Sequence, residues 1–167
     1  KLNEIIDNSK KILFIPVAME EGDHTPEECY EWIQGELSQI KKAGIDMVTS
    51  FEELAEKNYS DYACLFIGGG NTYKLLKGLR ESGSYSKIEE YLANDGIIIG
   101  GSAGASIFGK DIDVIKPMDD NYVNLKDTLA FNKFNGYSIF PHYPLCTYIS
   151  EEENKAFDEY KKAQETY

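Results

Sequence analysis

The sequence predicts an α/β fold: a three-layer sandwich with a mostly parallel central sheet between helices. Three observations predict it. Apolar strand-like runs alternate with helix-like segments from Ile12 to Phe108, the ordering that a parallel sheet with helices on both faces produces. The runs at Ile12–Ala18, Tyr62–Ile67 and Ile97–Ile99 are apolar nearly throughout, as strands covered on both faces are. Each meets glycine or proline at its end. In such sheets ligands bind beyond the carboxyl ends of the strands.

The elements follow in order. Lys1 to Lys11 reads as the end of a helix, and Ile12–Ala18 as the first strand. After an acidic loop from Met19, Thr25-Pro26-Glu27-Glu28 supplies an N-cap, a proline at the first helical position and early acids. That helix is expected to reach Lys42, with Tyr30, Ile33, Leu37 and Ile40 on one face, and to stop at Ala43-Gly44. Ile45–Thr49 reads as a second strand, and Ser50-Phe51-Glu52-Glu53 as a capping box opening a short helix. Tyr62–Ile67 is the third strand, followed by a helix from Tyr73 to about Arg80, a turn at Ser82-Gly83-Ser84 and a helix from Ser86 to Asn94. Asp95-Gly96 turns into Ile97–Ile99, read as a buried strand. Asp111 to Asp127 is irregular, with Ile112, Val114, Ile115 and Val123 as short β pieces. Tyr137–Phe140 reads as a strand, and Ser150-Glu151-Glu152-Glu153 caps a polar helix to Tyr167.

The 167 residues suit one domain with one core, assigned to 1–167. Acids outnumber bases 29 to 17, for a net charge of −12. Such a chain has no basic excess to neutralise a nucleic-acid backbone. No apolar run nears the length of a membrane span, and no signal peptide is visible. Cys29, Cys64 and Cys146 are odd in number, far apart and in no metal-binding spacing. They point to a reducing cytoplasm and to neither metal nor cofactor.

The chemistry gathers at three strand ends. In Gly100-Gly101-Ser102-Ala103-Gly104 a serine sits between small residues where a strand turns into a helix. That is the logic of a nucleophile elbow, in which strand and helix pass too close for larger side chains. A serine hydroxyl is a weak nucleophile without a base. Of the two histidines, His24 lies in an acidic loop and reads as solvated, whereas His142 ends an apolar run between two prolines. His142 is the candidate base. The carboxylate that orients such a base is open among Asp111, Asp113, Asp119, Asp120 and Asp127. An oxyanion needs two donors; the N–H groups of Ala103, after the serine, and of Gly70, in the run Gly68-Gly69-Gly70, are placed to supply them. No dinucleotide or Walker pattern follows that glycine run.

Three motifs in order, Phe66-Ile67-Gly68-Gly69-Gly70-Asn71-Thr72-Tyr73-Lys74-Leu75-Leu76, Gly100-Gly101-Ser102-Ala103-Gly104-Ala105 and Pro141-His142-Tyr143, resemble the peptidase E (aspartyl dipeptidase) family, of which cyanophycinase is a more distant member. The resemblance implies a cytoplasmic serine-type peptidase on a class I glutamine amidotransferase-like sheet. It makes Ser102 the nucleophile, His142 the general base, and Gly70 and Ala103 the oxyanion donors. The family's third acid falls near Lys116-Pro117-Met118, so Asp119 is the nearest candidate, with Asp120 beside it. The implied partner is a small peptide, and a homodimer is a further expectation. The arginine-containing stretch that follows the family's histidine is missing: Ser150–Lys155 holds none. That leaves the preference for N-terminal aspartate open for this chain. The family also continues beyond both ends, so terminal strands are expected to lie outside 1–167. The alternatives are an amidase-like hydrolase of other small amides, or a non-catalytic relative that binds a ligand in the same cleft.

Overall fold

The computed structural model describes residues 2–19, 24–37 and 44–142. The helix expected after Ser150, the residues Ile40, Lys42 and Ala43, and Cys146 lie outside the described residues. A short helix α1 (Leu2–Ile5) leads into β1 (Lys11–Ile15), followed by α2 (Pro26–Glu36), β2 (Ile45–Met47), α3 (Phe51–Glu56), β3 (Tyr62–Ile67), α4 (Thr72–Glu81), α5 (Ser84–Ala93), β4 (Ile98–Gly100) and α6 (Ala103–Ser106). The four described strands form one sheet in the order β2-β1-β3-β4. Every pairing in it is parallel.

The continuous apolar runs have a two-sided cause. In β1, Leu13 and Ile15 face a core built with Leu65 and Ile67 of β3 and with α3 to α6. Ile12 and Phe14 face the other way, into a second core with Cys64, Phe66, the α2 residues Cys29 and Ile33, and Leu37 at the helix's C-cap. Both faces bury side chains, so neither can be polar. Each fully buried Leu, Ile or Phe contributes about 1.5–3 kcal/mol of transfer free energy. Cys64 is fully buried.

The caps explain where helices start. Thr25 Oγ1 accepts from the Glu28 N–H and a Glu28 carboxylate oxygen accepts from the Thr25 N–H, closing a capping box around Pro26. At α3 the box is offset: Ser50 Oγ accepts from Glu53 N–H at 3.1 Å, but Glu53 reaches back to the Thr49 N–H at 2.8 Å. Asn71 caps α4 by accepting from Lys74 N–H at 2.9 Å.

Several elements differ from the sequence expectation. β1 ends at Ile15, because Pro16 removes the next ladder donor. β2 stops at Met47, short of Thr49. α5 starts at Ser84, straight after the left-handed Gly83. β4 is half-exposed rather than buried: it pairs only with β3 among the described strands. Ile112–Ile115 forms a single 3-10 turn, and among the described residues the sole β feature nearby is an isolated bridge between Asp111 and Leu129. Among the described residues Tyr137–Phe140 joins no sheet; the segment is instead pinned by Lys110 N–H to Tyr137 C=O at 2.9 Å and Asp111 N–H to Ser138 Oγ at 3.2 Å.

Candidate active site

The elbow is built by interlocking backbone. Gly101 N–H donates to Ile67 C=O at 2.9 Å, fastening the turn to the end of β3. A Cβ at Gly104 would collide with that same Ile67 carbonyl, and a Cβ at Gly100 with the Gly104 carbonyl. The small residues are therefore a packing requirement. Squeezed between them, Ser102 adopts φ 50°, ψ −115°, a conformation disfavoured for a residue with a Cβ.

Residues distant in sequence meet here. His142 Nε2 lies 2.9 Å from Ser102 Oγ. His142 is itself left-handed, with φ 68°, and its side chain is exposed. On the adjacent strand end, Gly70 has φ 116°, and a Cβ there would collide with the Ala18 carbonyl, which already accepts from Asn71 N–H at 3.0 Å. Among the described residues neither Gly70 N–H nor Ala103 N–H donates to a backbone carbonyl.

Three of the candidate acids have partners other than the imidazole. Asp119 accepts from Thr72 N–H at 2.7 Å, at the N-terminus of α4. The neighbouring Asp120 carbonyl accepts from Asn71 Nδ2 at 2.9 Å. Together they strap the 119–120 turn onto the strand end that carries Gly70. Asp111 takes the Asp113 N–H at 2.9 Å, and Asp127 pairs with Arg80 at 3.5 Å. Among the described residues no carboxylate hydrogen-bonds to His142. Asp111, Asp113 and Asp119 instead add their charges to the burial that pushes the Tyr73 phenol up to about 12.

Beside the glycine turn lies a cavity of about 440 Å³, lined by the ends of β1 and β3 and by α2. His24, read from the sequence as solvated, is exposed, with Nδ1 3.9 Å from Glu28 at the cavity's edge. Trp32 forms part of its wall. Sequence reasoning passed over Trp32 because it falls off the buried Cys29–Ile33–Leu37 stripe; a lone tryptophan on the open side of an amphipathic helix was the available signal. Among the described residues no group of His, Cys, Asp or Glu could hold a metal ion, and no helix is long and apolar enough to cross a membrane.

Comparison with known proteins places this geometry in a family. The model of peptidase family S51 matches residues 1–167. The chain belongs to peptidase family S51. An uncharacterised peptidase of Pasteurella multocida is 30% identical over 160 residues, covering 91% of this chain and 73% of the relative. Peptidase E of Haemophilus influenzae is 30% identical over 142 residues, covering 84% of this chain and 59% of the relative. The crystal structure of a candidate peptidase E from Listeria monocytogenes superposes with a TM-score of 0.74 at 29% identity, covering 94% of this chain and 79% of that one. This S51 chain is thus a serine-type peptidase with the peptidase E fold.

Proposed function

We propose that this S51 peptidase cleaves small peptides, as a dipeptidase, through an acyl-enzyme on Ser102 with His142 as general base. The observation that carries the reading is the 2.9 Å contact between Ser102 Oγ and His142 Nε2 at a turn held in a disfavoured conformation. The dipeptidase part draws on relatives named peptidase E and on the resemblance of the three motifs.

Ser102 Oγ attacks the scissile carbonyl carbon while His142 Nε2 takes its proton. The carbonyl oxygen, now anionic, is met by the N–H groups of Gly70 and Ala103. The C–N bond breaks, and the imidazolium gives its proton to the leaving amine. Water then attacks the Ser102 ester, His142 takes the water's proton, and the acid product leaves as Ser102 regains its hydrogen. Asp119, fixed on Thr72 N–H, acts in this scheme by positioning the strand end that bears Gly70.

The test is Ser102→Ala. Hydrolysis of a dipeptide panel should fall by about a thousandfold or more with an unchanged circular dichroism spectrum, and a fluorophosphonate probe should label the parent but not the variant. Parent-like cleavage by the alanine variant rejects the assignment. Faster turnover of glutamine and simple amides than of any dipeptide transfers the site to amidase chemistry.

A further inference from the structure

The strand order contains a reversal. From β1 the chain crosses over α2 to β2 on one side, and from β3 it crosses over α4 and α5 to β4 on the other. Neighbouring strands whose connections part in this way leave a crevice at their carboxyl ends. The cavity of about 440 Å³ occupies it, walled by Phe14 from β1, Cys29 and Trp32 from α2, Met19 and the Gly68–Gly70 turn. Its size is in the range of about 300–1,000 Å³ typical of small-molecule sites.

Two features say what it would hold. The first is proximity to the nucleophile. Gly69 lines the cavity, and a Cβ built on it would lie 3.2 Å from Ser102 Cβ and 3.7 Å from Ser102 Oγ. A substrate lying across Gly69 therefore reaches both the hydroxyl and the cavity. The second is the chemistry of the wall. Phe14, Met19, Cys29 and Trp32 offer aromatic and sulfur surface, with the Trp32 ring 6.4 Å from Phe14 and 6.1 Å from Phe66. Among the described lining residues the carboxylate is that of the exposed Glu28, held below the usual carboxylate range by the Thr25 N–H.

We infer that this cavity receives the side chain of the substrate's N-terminal residue, that it selects large apolar side chains such as Phe, Leu and Met, and that Glu28 repels acidic ones. The inference rests on the hydrolytic reading of Ser102 above and adds the substrate class. A carboxylate side chain in this crevice would lose water against apolar walls and meet a like charge. An aromatic side chain would stack on Trp32.

Trp32 is the sole tryptophan of the chain, so its fluorescence reports occupancy without catalysis. Full-length Ser102→Ala protein is titrated with Phe-Leu, Leu-Leu, Ala-Leu and Asp-Leu. Phe-Leu and Leu-Leu should give a saturable change in emission, and Asp-Leu none at the same concentrations. In the parent, kcat/KM for Phe-Leu should exceed that for Asp-Leu by about a hundredfold or more. Trp32→Ala should narrow the Phe-Leu to Ala-Leu ratio about tenfold. Glu28→Gln, which keeps the capping geometry, should narrow the Phe-Leu to Asp-Leu ratio. Asp-Leu binding as well as Phe-Leu, or ratios unmoved by both variants, overturns the inference while leaving hydrolysis at Ser102 intact. Saturable Phe-Leu binding by Ser102→Ala, with no peptide cleaved by the parent, instead upholds the pocket and removes the hydrolytic role.

Discussion

Ser102 and His142 reach the same point by opposite means. The serine arrives on interlocked main chain: β4 paired to β3, Gly101 bonded to Ile67, and Gly104 pressed against the same carbonyl. The histidine arrives at the end of an irregular segment from Lys110 to His142 whose described part contains one 3-10 turn and one isolated bridge. That segment is held by scattered main-chain bonds, from Ala130 to Lys110 and from Phe131 to Ile107, and by side chains. Phe131 stacks between Tyr85 at 4.0 Å and Phe108 at 4.9 Å, and Arg80 bonds the carbonyls of Asp127 and Leu129. The contrast teaches that the nucleophile cannot shift without breaking the sheet, whereas the imidazole depends on a few anchors.

The harshest way to break that contrast is Gly104→Val. The added atoms would occupy the position of the Ile67 carbonyl, and a flexible side chain is not what stands in the way. We expect a loss above about 4 kcal/mol, seen as a collapsed urea midpoint or as insoluble protein. A valine variant with the parent's midpoint would show that strand and helix have room to separate. Phe131→Ala strikes the other region. It removes a buried ring that pins the segment leading to His142 and should cost about 3 kcal/mol. In the remaining folded protein, kcat should fall by a further factor of about ten or more, because the imidazole is no longer aimed. An undiminished kcat per folded molecule would locate the anchor elsewhere.

The same contrast decides what the sequence could reveal. The elbow was legible because its demands are local: a β-branched run, small residues on both sides of one serine, a helix start. The Tyr62–Ile67 strand and the Thr25-Pro26 helix start were legible for the same reason. The Lys110–His142 segment was not. Ile112, Val114 and Ile115 looked like strand because they are β-branched, but all three are buried on a 3-10 turn, Ile112 in the core shared with α4 and the elbow. Asp119 could not be placed, since its partner Thr72 is 47 residues away. The cavity was hidden too, because it is formed where β1 and β3 become neighbours, which follows from strand order and not from any one stretch.

Asp119→Asn sharpens the comparison further, because it separates a support from a participant. If the carboxylate only holds the α4 N-terminus, the variant loses about 1 kcal/mol of stability, and kcat changes less than about tenfold. If it orients the imidazole during turnover, kcat falls by about ten-thousandfold with little effect on stability. The bond to Thr72 favours the first outcome. A steady-state kcat beside a urea melt reads both.

The smallest effect is expected outside both regions, on strand β2. Asp46 accepts from the Tyr62 hydroxyl at 2.6 Å and pairs with Lys57 at 3.3 Å. The Tyr62 bond, aided by Lys57 and opposed by burial, holds its carboxyl below the ordinary value of 3.8. The folded state then binds that proton more weakly than the unfolded chain does. The contribution to stability is therefore fully present above about pH 4 and is lost as the pH falls through the lowered value. Because the side chain is about one-third exposed, solvent screening limits it to about 1 kcal/mol or less. Asp46→Asn should be slightly less stable than the parent at pH 7, and the two urea midpoints should converge as the pH falls toward about 3. The pH profile of kcat/KM should not move, since Asp46 touches neither the elbow nor the segment that carries His142. A gap in stability that persists at low pH would assign the loss to packing, and a shifted activity profile would mean that the sheet's edge communicates with the rim.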